Sequence, residues 1–163
     1  MTHSVNEPTH NEDAQMRVSS DISKSTTSPA DALKSHTETP VISAKFAYPL
    51  EKSIYAGASK VFTTDGVLIT IPKGTPFIAI ESGAVIYAGS DPELGNTVII
   101  RHANEWISVY SHASTVSVST GSLVKKGQIL GKSGQTGKAK RPQLHLEIRH
   151  NNHIISPKNI YRE

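Results

Sequence analysis

The sequence predicts an all-β, antiparallel domain behind a disordered N-terminal tail. Three observations carry this. All 11 glycines and all nine aromatic residues lie at or beyond Phe46. From there on the chain reads as short β-branched runs punctuated by glycine turns, and no helical period of useful length interrupts them. Residues 1–45 hold 14 Ser or Thr and no apolar run. Such a stretch cannot bury enough apolar surface to offset the entropy of ordering it. The folding unit is therefore residues 46–163, which is long enough for one real core.

Within that unit, Val67–Ile71, Phe77–Ile80 and Ala84–Ala88 are strands separated by turns at Lys73-Gly74 and Ser82-Gly83. Thr97–His102 and Trp106–His112 form a hairpin through Ala103-Asn104-Glu105. Short segments follow at Val116–Val118 and Gln128–Gly131, then the longer Gln143–Arg149 and a final Ile154-Ile155 pair. In the tail, Ser28–Ser35 could form a helical turn or two with nothing to anchor it. The strands are expected to build a sandwich or a partly rolled sheet.

Two strands carry the polar residues of interest. In Gln143–Arg149, Leu144, Leu146 and Ile148 share one face, while Gln143, His145, Glu147 and Arg149 share the other. The apolar face packs into the core and the polar face looks outward. In Trp106–His112, simple alternation puts Tyr110 and His112 on one face. If the two strands are neighbours, His112 and His145 line one groove.

Composition narrows the chemistry. The chain has no cysteine, which excludes disulfides, thiolate catalysis and Cys-based zinc sites. No apolar run reaches the ~18 residues of a membrane span. No charged start followed by an apolar segment marks an export signal. The tail carries four Lys or Arg against six Asp or Glu; the remainder carries 13 against eight. This basic domain suits an anionic partner, but no nucleic-acid-binding motif is present.

Beyond composition, a series of motifs carries a family likeness. They run, in order, through Pro72-Lys73-Gly74-Thr75-Pro76, Ser82–Gly89, Leu94–His102, Val109-Tyr110-Ser111-His112, Val124–Gly131, Gly134-Gln135-Thr136-Gly137 and Pro142–Arg149. In this order and spacing the chain from Gly66 to Tyr161 resembles the LytM domain of the lysostaphin-type zinc peptidases, which cut peptidoglycan cross-bridges. The resemblance implies an antiparallel, two-sheet fold of the duplicated-hybrid-motif type. It also implies a zinc on three protein ligands, from a His-x-x-x-Asp segment and the second His of a His-x-His strand. Those ligand positions fall at Thr64, Leu68 and His145. The two histidines that assist the attacking water fall at Gln143 and His112.

Leu68 donates to no metal, Thr64 is a poor neutral ligand, and a single imidazole does not hold zinc. Zinc is therefore expected to be lost, no catalytic residue is assigned, and Tyr110, His112, Gln143 and His145 are expected to line a partner-binding groove. The wording around Thr64–Val67 and Pro142–His145 looks most like the NlpD, EnvC and DipM branch, envelope factors acting in cell separation. That likeness implies a non-catalytic regulator in the periplasm, with an N-acetylmuramoyl-L-alanine amidase or peptidoglycan as partner. The absence of a visible export signal sits against it, and suggests a truncated chain or another route of export. Two alternatives stand beside it: a zinc endopeptidase with a metal site rebuilt from His102, His150 and His153, and a passive wall-binding module. Lys138, Lys140 and Arg141, just before the groove strand, read either as a solvated loop or as a contact for an anionic wall or an acidic amidase surface.

Overall fold

A computed structural model describes residues 45–161. The expected disordered tail, with its Ser28–Ser35 segment, lies outside the described residues except for Lys45. Ten strands follow in chain order: β1 (Ser59–Thr63), β2 (Gly66–Thr70), β3 (Pro76–Ile78), β4 (Gly83–Asp91), β5 (Gly95–Arg101), β6 (Trp106–Val116), β7 (Leu123–Val124), β8 (Ile129–Ser133), β9 (Gln143–His150) and β10 (His153–Ile155). Two short helices, α1 (Lys52–Gly57) and α2 (Pro157–Ile160), stand at either end. Every pairing is antiparallel, in the order β1-β2-β9-β6-β5-β4-β7. From this path β8 branches off β6, carrying β3 with it. The branch returns over the core, where the Phe77 ring stacks on Tyr110 at 5.6 Å. The all-β antiparallel fold expected from the sequence is the fold observed.

The core is built by alternation. Val67 and Ile69 of β2, Leu144, Leu146 and Ile148 of β9, and Val98 and Ile100 of β5 are all fully buried or nearly so. Register locks the faces together, because Val67 lies opposite Leu146 and Ile69 opposite Leu144. The opposite face of the same strands then carries Leu68, Thr70, Gln143 and His145.

The hairpin between β5 and β6 forms as expected. Its turn places Asn104 and Glu105 at φ 58° and 64°. β6 runs further than expected and absorbs the Val116 segment. It does so across an irregularity: the three-residue interval Tyr110–Ala113 faces the two-residue interval Asn96–Val98 on β5. The extra residue is accommodated at His112, which adopts φ 69°. β1 was not expected. Its signal was the Asp65-Gly66 pair, which closes a two-residue loop onto Gly66. The two helices were also not expected, being only six and four residues long and too short to show a period.

Tyr110 is the polar anchor of the core. Its hydroxyl accepts the Ile80 N–H at 3.0 Å and lies 3.0 Å from Ser108 Oγ, which in turn sits 2.8 Å from His102 Nε2. Burial raises its pKa to about 12, against the smaller lowering influence of the Ser108 and Ile80 hydrogen bonds. Tyr110→Phe leaves the buried Ile80 N–H without a partner and is expected to cost about 1–3 kcal/mol in urea unfolding, with no change of fold.

Candidate functional site

The site is assembled on the outer face of β2, β9 and β6. Leu68 lies directly opposite His145, which lies directly opposite Ser111 on the far side. Thr70 faces Gln143 in the same way. The bulge in β6 turns the His112 ring toward this face, so the His112 and His145 ring centroids are 6.3 Å apart. A groove of about 400 Å³ continues from there, lined by Val61, Leu68, Thr70, Lys138, Lys140, Arg141 and Gln143.

Each imidazole is held in a definite way. His112 Nδ1–H donates to the Thr136 carbonyl at 2.8 Å, which leaves Nε2 as the acceptor of the neutral ring. Thr136 is itself fixed because its Oγ1 donates to the Ala113 carbonyl and accepts the Asn96 N–H. Close approach of Gly95 makes this possible: at φ 71°, a Cβ there would stand 2.2 Å from Thr136 Oγ1. His145 packs against Gly66, where a Cβ would meet its Nε2 at 2.9 Å and the Leu146 carbonyl oxygen at 2.2 Å. The polar face of β9 is therefore less open than alternation implied: Gln143 and His145 are each only 8% exposed, and His112 of the neighbouring β6 is 7% exposed.

Burial lowers the His145 pKa below the usual imidazole value. The His112 ring adds to this, while the Asp65 and Glu147 carboxylates oppose it. Ser111 Oγ, on the same face, is buried with no hydrogen-bond partner among the described residues. Neither Ser111 nor Thr136 was singled out in the sequence. The Gly134-Gln135-Thr136-Gly137 motif was visible there, but its tie to His112 was not.

One expected groove residue is corrected. Tyr110 does not line the groove but is fully buried in the core, on the opposite face of the sheet from His145. Simple alternation had joined Tyr110 to His112, and the extra residue in β6 separates them.

The donor set does not fit zinc. Thr64 is an exposed turn residue, and Leu68, the side chain directly opposite His145, is aliphatic. The alternative set is scattered. Both nitrogens of His102 are engaged, with the Ser82 carbonyl and with Ser108 Oγ. His150 stacks on Trp106 at 4.2 Å, and His153 Nδ1 is hydrogen-bonded to the Asn151 carbonyl. Among the described residues, no group of three His, Asp or Glu is placed to hold a metal ion.

Comparison with known proteins agrees with this architecture. Residues 62–157 match Peptidase family M23. The cell division protein DipM of Caulobacter vibrioides is 39% identical over 110 residues, covering 65% of this chain and 18% of that protein. The murein hydrolase activator NlpD of Salmonella dublin is 30% identical over 151 residues, covering 91% of this chain and 40% of that protein. Among solved structures, the catalytic domain of the antimicrobial peptidase lysostaphin from Staphylococcus simulans superposes with a TM-score of 0.55 at 30% identity. That match covers 70% of this chain and 86% of that domain. The chain thus spans less than half the length of these two curated relatives.

Two outcomes are expected from this geometry. Thr64→His with Leu68→Asp puts donors at both missing ligand positions beside His145, so the double variant is expected to bind about one zinc per chain by calorimetry and metal analysis. The unsubstituted chain is expected to bind none with comparable affinity. The second outcome concerns pH. His145 and His102 both have pKa values lowered mainly by burial, so below the unfolded imidazole value of about 6.5 the unfolded chain binds more protons than the folded one. Stability is expected to be full above that pH and to fall as pH drops through it. Urea titrations at pH 7.5 and 5.5 measure this, and His145→Gln should flatten part of the slope.

Proposed function

The chain belongs to Peptidase family M23, and from that membership we propose that it is a non-catalytic regulator of peptidoglycan remodelling in cell division and daughter-cell separation. In this reading it activates an N-acetylmuramoyl-L-alanine amidase through a metal-free groove in the periplasm. One observation carries the reading: where the family's zinc would be held, the cross-strand partner of His145 is the aliphatic Leu68. A family member without a metal keeps its groove but not its hydrolytic chemistry. The same side chains that would position a substrate can then position a partner.

The named functions of the two curated relatives support this reading, since one is a cell division protein and the other a murein hydrolase activator. Activation follows if the groove binds an open state of the amidase more tightly than a closed one, because only differential affinity shifts a population. His112 offers a fixed acceptor at Nε2, and Gln143 offers both a donor and an acceptor. These groups can satisfy the backbone or side-chain amides of an inserted segment.

The test is release of dye from labelled sacculi by an amidase of the source organism, with and without this chain, alongside the chain alone. Stimulation without release by the chain alone is the expected result. His112→Ala with His145→Ala should reduce the stimulation at least about tenfold while leaving the circular dichroism spectrum unchanged. Release by the chain alone that a chelator abolishes would establish the zinc endopeptidase instead. Binding to sacculi without any stimulation would establish the passive wall-binding module.

A further inference from the structure

The groove lies beside a sheet edge that no described strand occupies. β1 pairs only with β2 among the described strands, so its outer side has no ladder. Its register, closing through the two-residue loop Thr64-Asp65 onto Thr63 and Gly66, directs the backbone N–H and C=O of Lys60 and Phe62 away from β2. An exposed edge is commonly guarded by a lysine side chain. Here Lys60 is withdrawn from that duty. Its Nζ donates to the Tyr55 and Ala58 carbonyls and lies 4.6 Å above the Tyr55 ring.

The groove face beside this edge has two contrasting walls. Val61, 57% exposed, and Leu68 form an apolar strip. Across from them stand the cations of Lys138, Lys140 and Arg141. Lys138 has Glu93 at 3.4 Å, whereas Lys140 and Arg141 meet no carboxylate among the described residues.

We propose that the groove takes an extended, acidic polypeptide segment, which adds as a strand to the free edge of β1. An aliphatic side chain of that segment lies over Val61 and Leu68, and its carboxylates face Lys140 and Arg141. The proposal rests on the regulator reading and names the chemistry of the partner. A glycan strand has no amide ladder to offer the Lys60 and Phe62 backbone, and an anionic wall polymer gains nothing from the Val61–Leu68 strip. A polypeptide strand uses all three features at once: main-chain hydrogen bonds for affinity, and the alternating side chains for specificity.

The experiment uses the full chain and a fluorescein-labelled peptide of repeating Glu-Thr-Val-Thr, whose one face offers Glu and Val in turn. Fluorescence anisotropy is expected to show binding that weakens at least tenfold in three cases. The first is a peptide with Lys in place of Glu. The second is a peptide N-methylated at each Thr, the residues whose N–H groups bond to β1 when the segment pairs antiparallel with Glu and Val facing the groove. The third is a pair of protein variants, Lys60→Pro and Lys140→Glu with Arg141→Glu. Lys60→Pro removes an outward N–H and leaves the β1–β2 ladder intact, as proline on an edge does. The charge reversal sits on an exposed loop, which keeps it clear of folding defects.

No binding of the Glu peptide, equal binding of the Lys peptide, or equal binding by Lys60→Pro would overturn the proposal. So would retention of the chain on purified sacculi in place of the peptide. The amidase assay run on the same variants separates the two readings. Stimulation that survives both variants overturns strand addition and leaves the regulator standing. Peptide binding as expected without stimulation by the unsubstituted chain sinks the regulator and keeps the strand-addition site.

Discussion

Strand β9 is the constraint on which the rest of the structure depends. It is paired on one side with β2 and on the other with β6, so both of its edges are committed. Leu144, Leu146 and Ile148 are buried on one face, and the register with Val67 and Ile69 continues that core into β2. A slip of one residue would drive Gln143, His145 and Glu147 into the core and expose three aliphatic side chains. Burial of the apolar set therefore fixes the position of the polar set, and the groove is a consequence of the core.

The bulge in β6 performs the second positioning step. A regular strand would have sent His112 to the same side as Tyr110. With one extra residue at φ 69°, Tyr110 keeps its place among the core aromatics while His112 turns to face His145. The Thr136 carbonyl then fixes the ring, and Gly95 makes room for the loop that carries Thr136. His112 and His145 are thus brought together beside Leu68, a side chain that is no metal donor.

The absence of those donors changes what the groove can recognise. With Leu68 opposite His145, the interior of the site is apolar on one wall and neutral on the other, since burial favours the uncharged His145 ring. The cations of the groove lie on Lys138, Lys140 and Arg141. Among the described strands, the outer side of β1 is the edge beside this groove.

Sequence alone determined the all-β class, the two faces of β9, the hairpin between β5 and β6, and the chemical identity of the residues at the family's ligand positions. The first three follow from local period, turn composition or residue type, and the last from the family resemblance; none needs knowledge of distant neighbours. Tertiary structure decided the rest. It placed Tyr110 in the core, because a one-residue bulge reverses the facing of a strand without leaving a mark in its alternation. It shielded His145 and Gln143 from solvent, because Gly66 and β2 come from about 75 residues earlier in the chain. It separated His102, His150 and His153 into unrelated hydrogen bonds and stacks, and among the described strands it left the outer edge of β1 unpaired. Pairing partners, and therefore edges and cavities, are properties of the closed sheet, which no single segment contains.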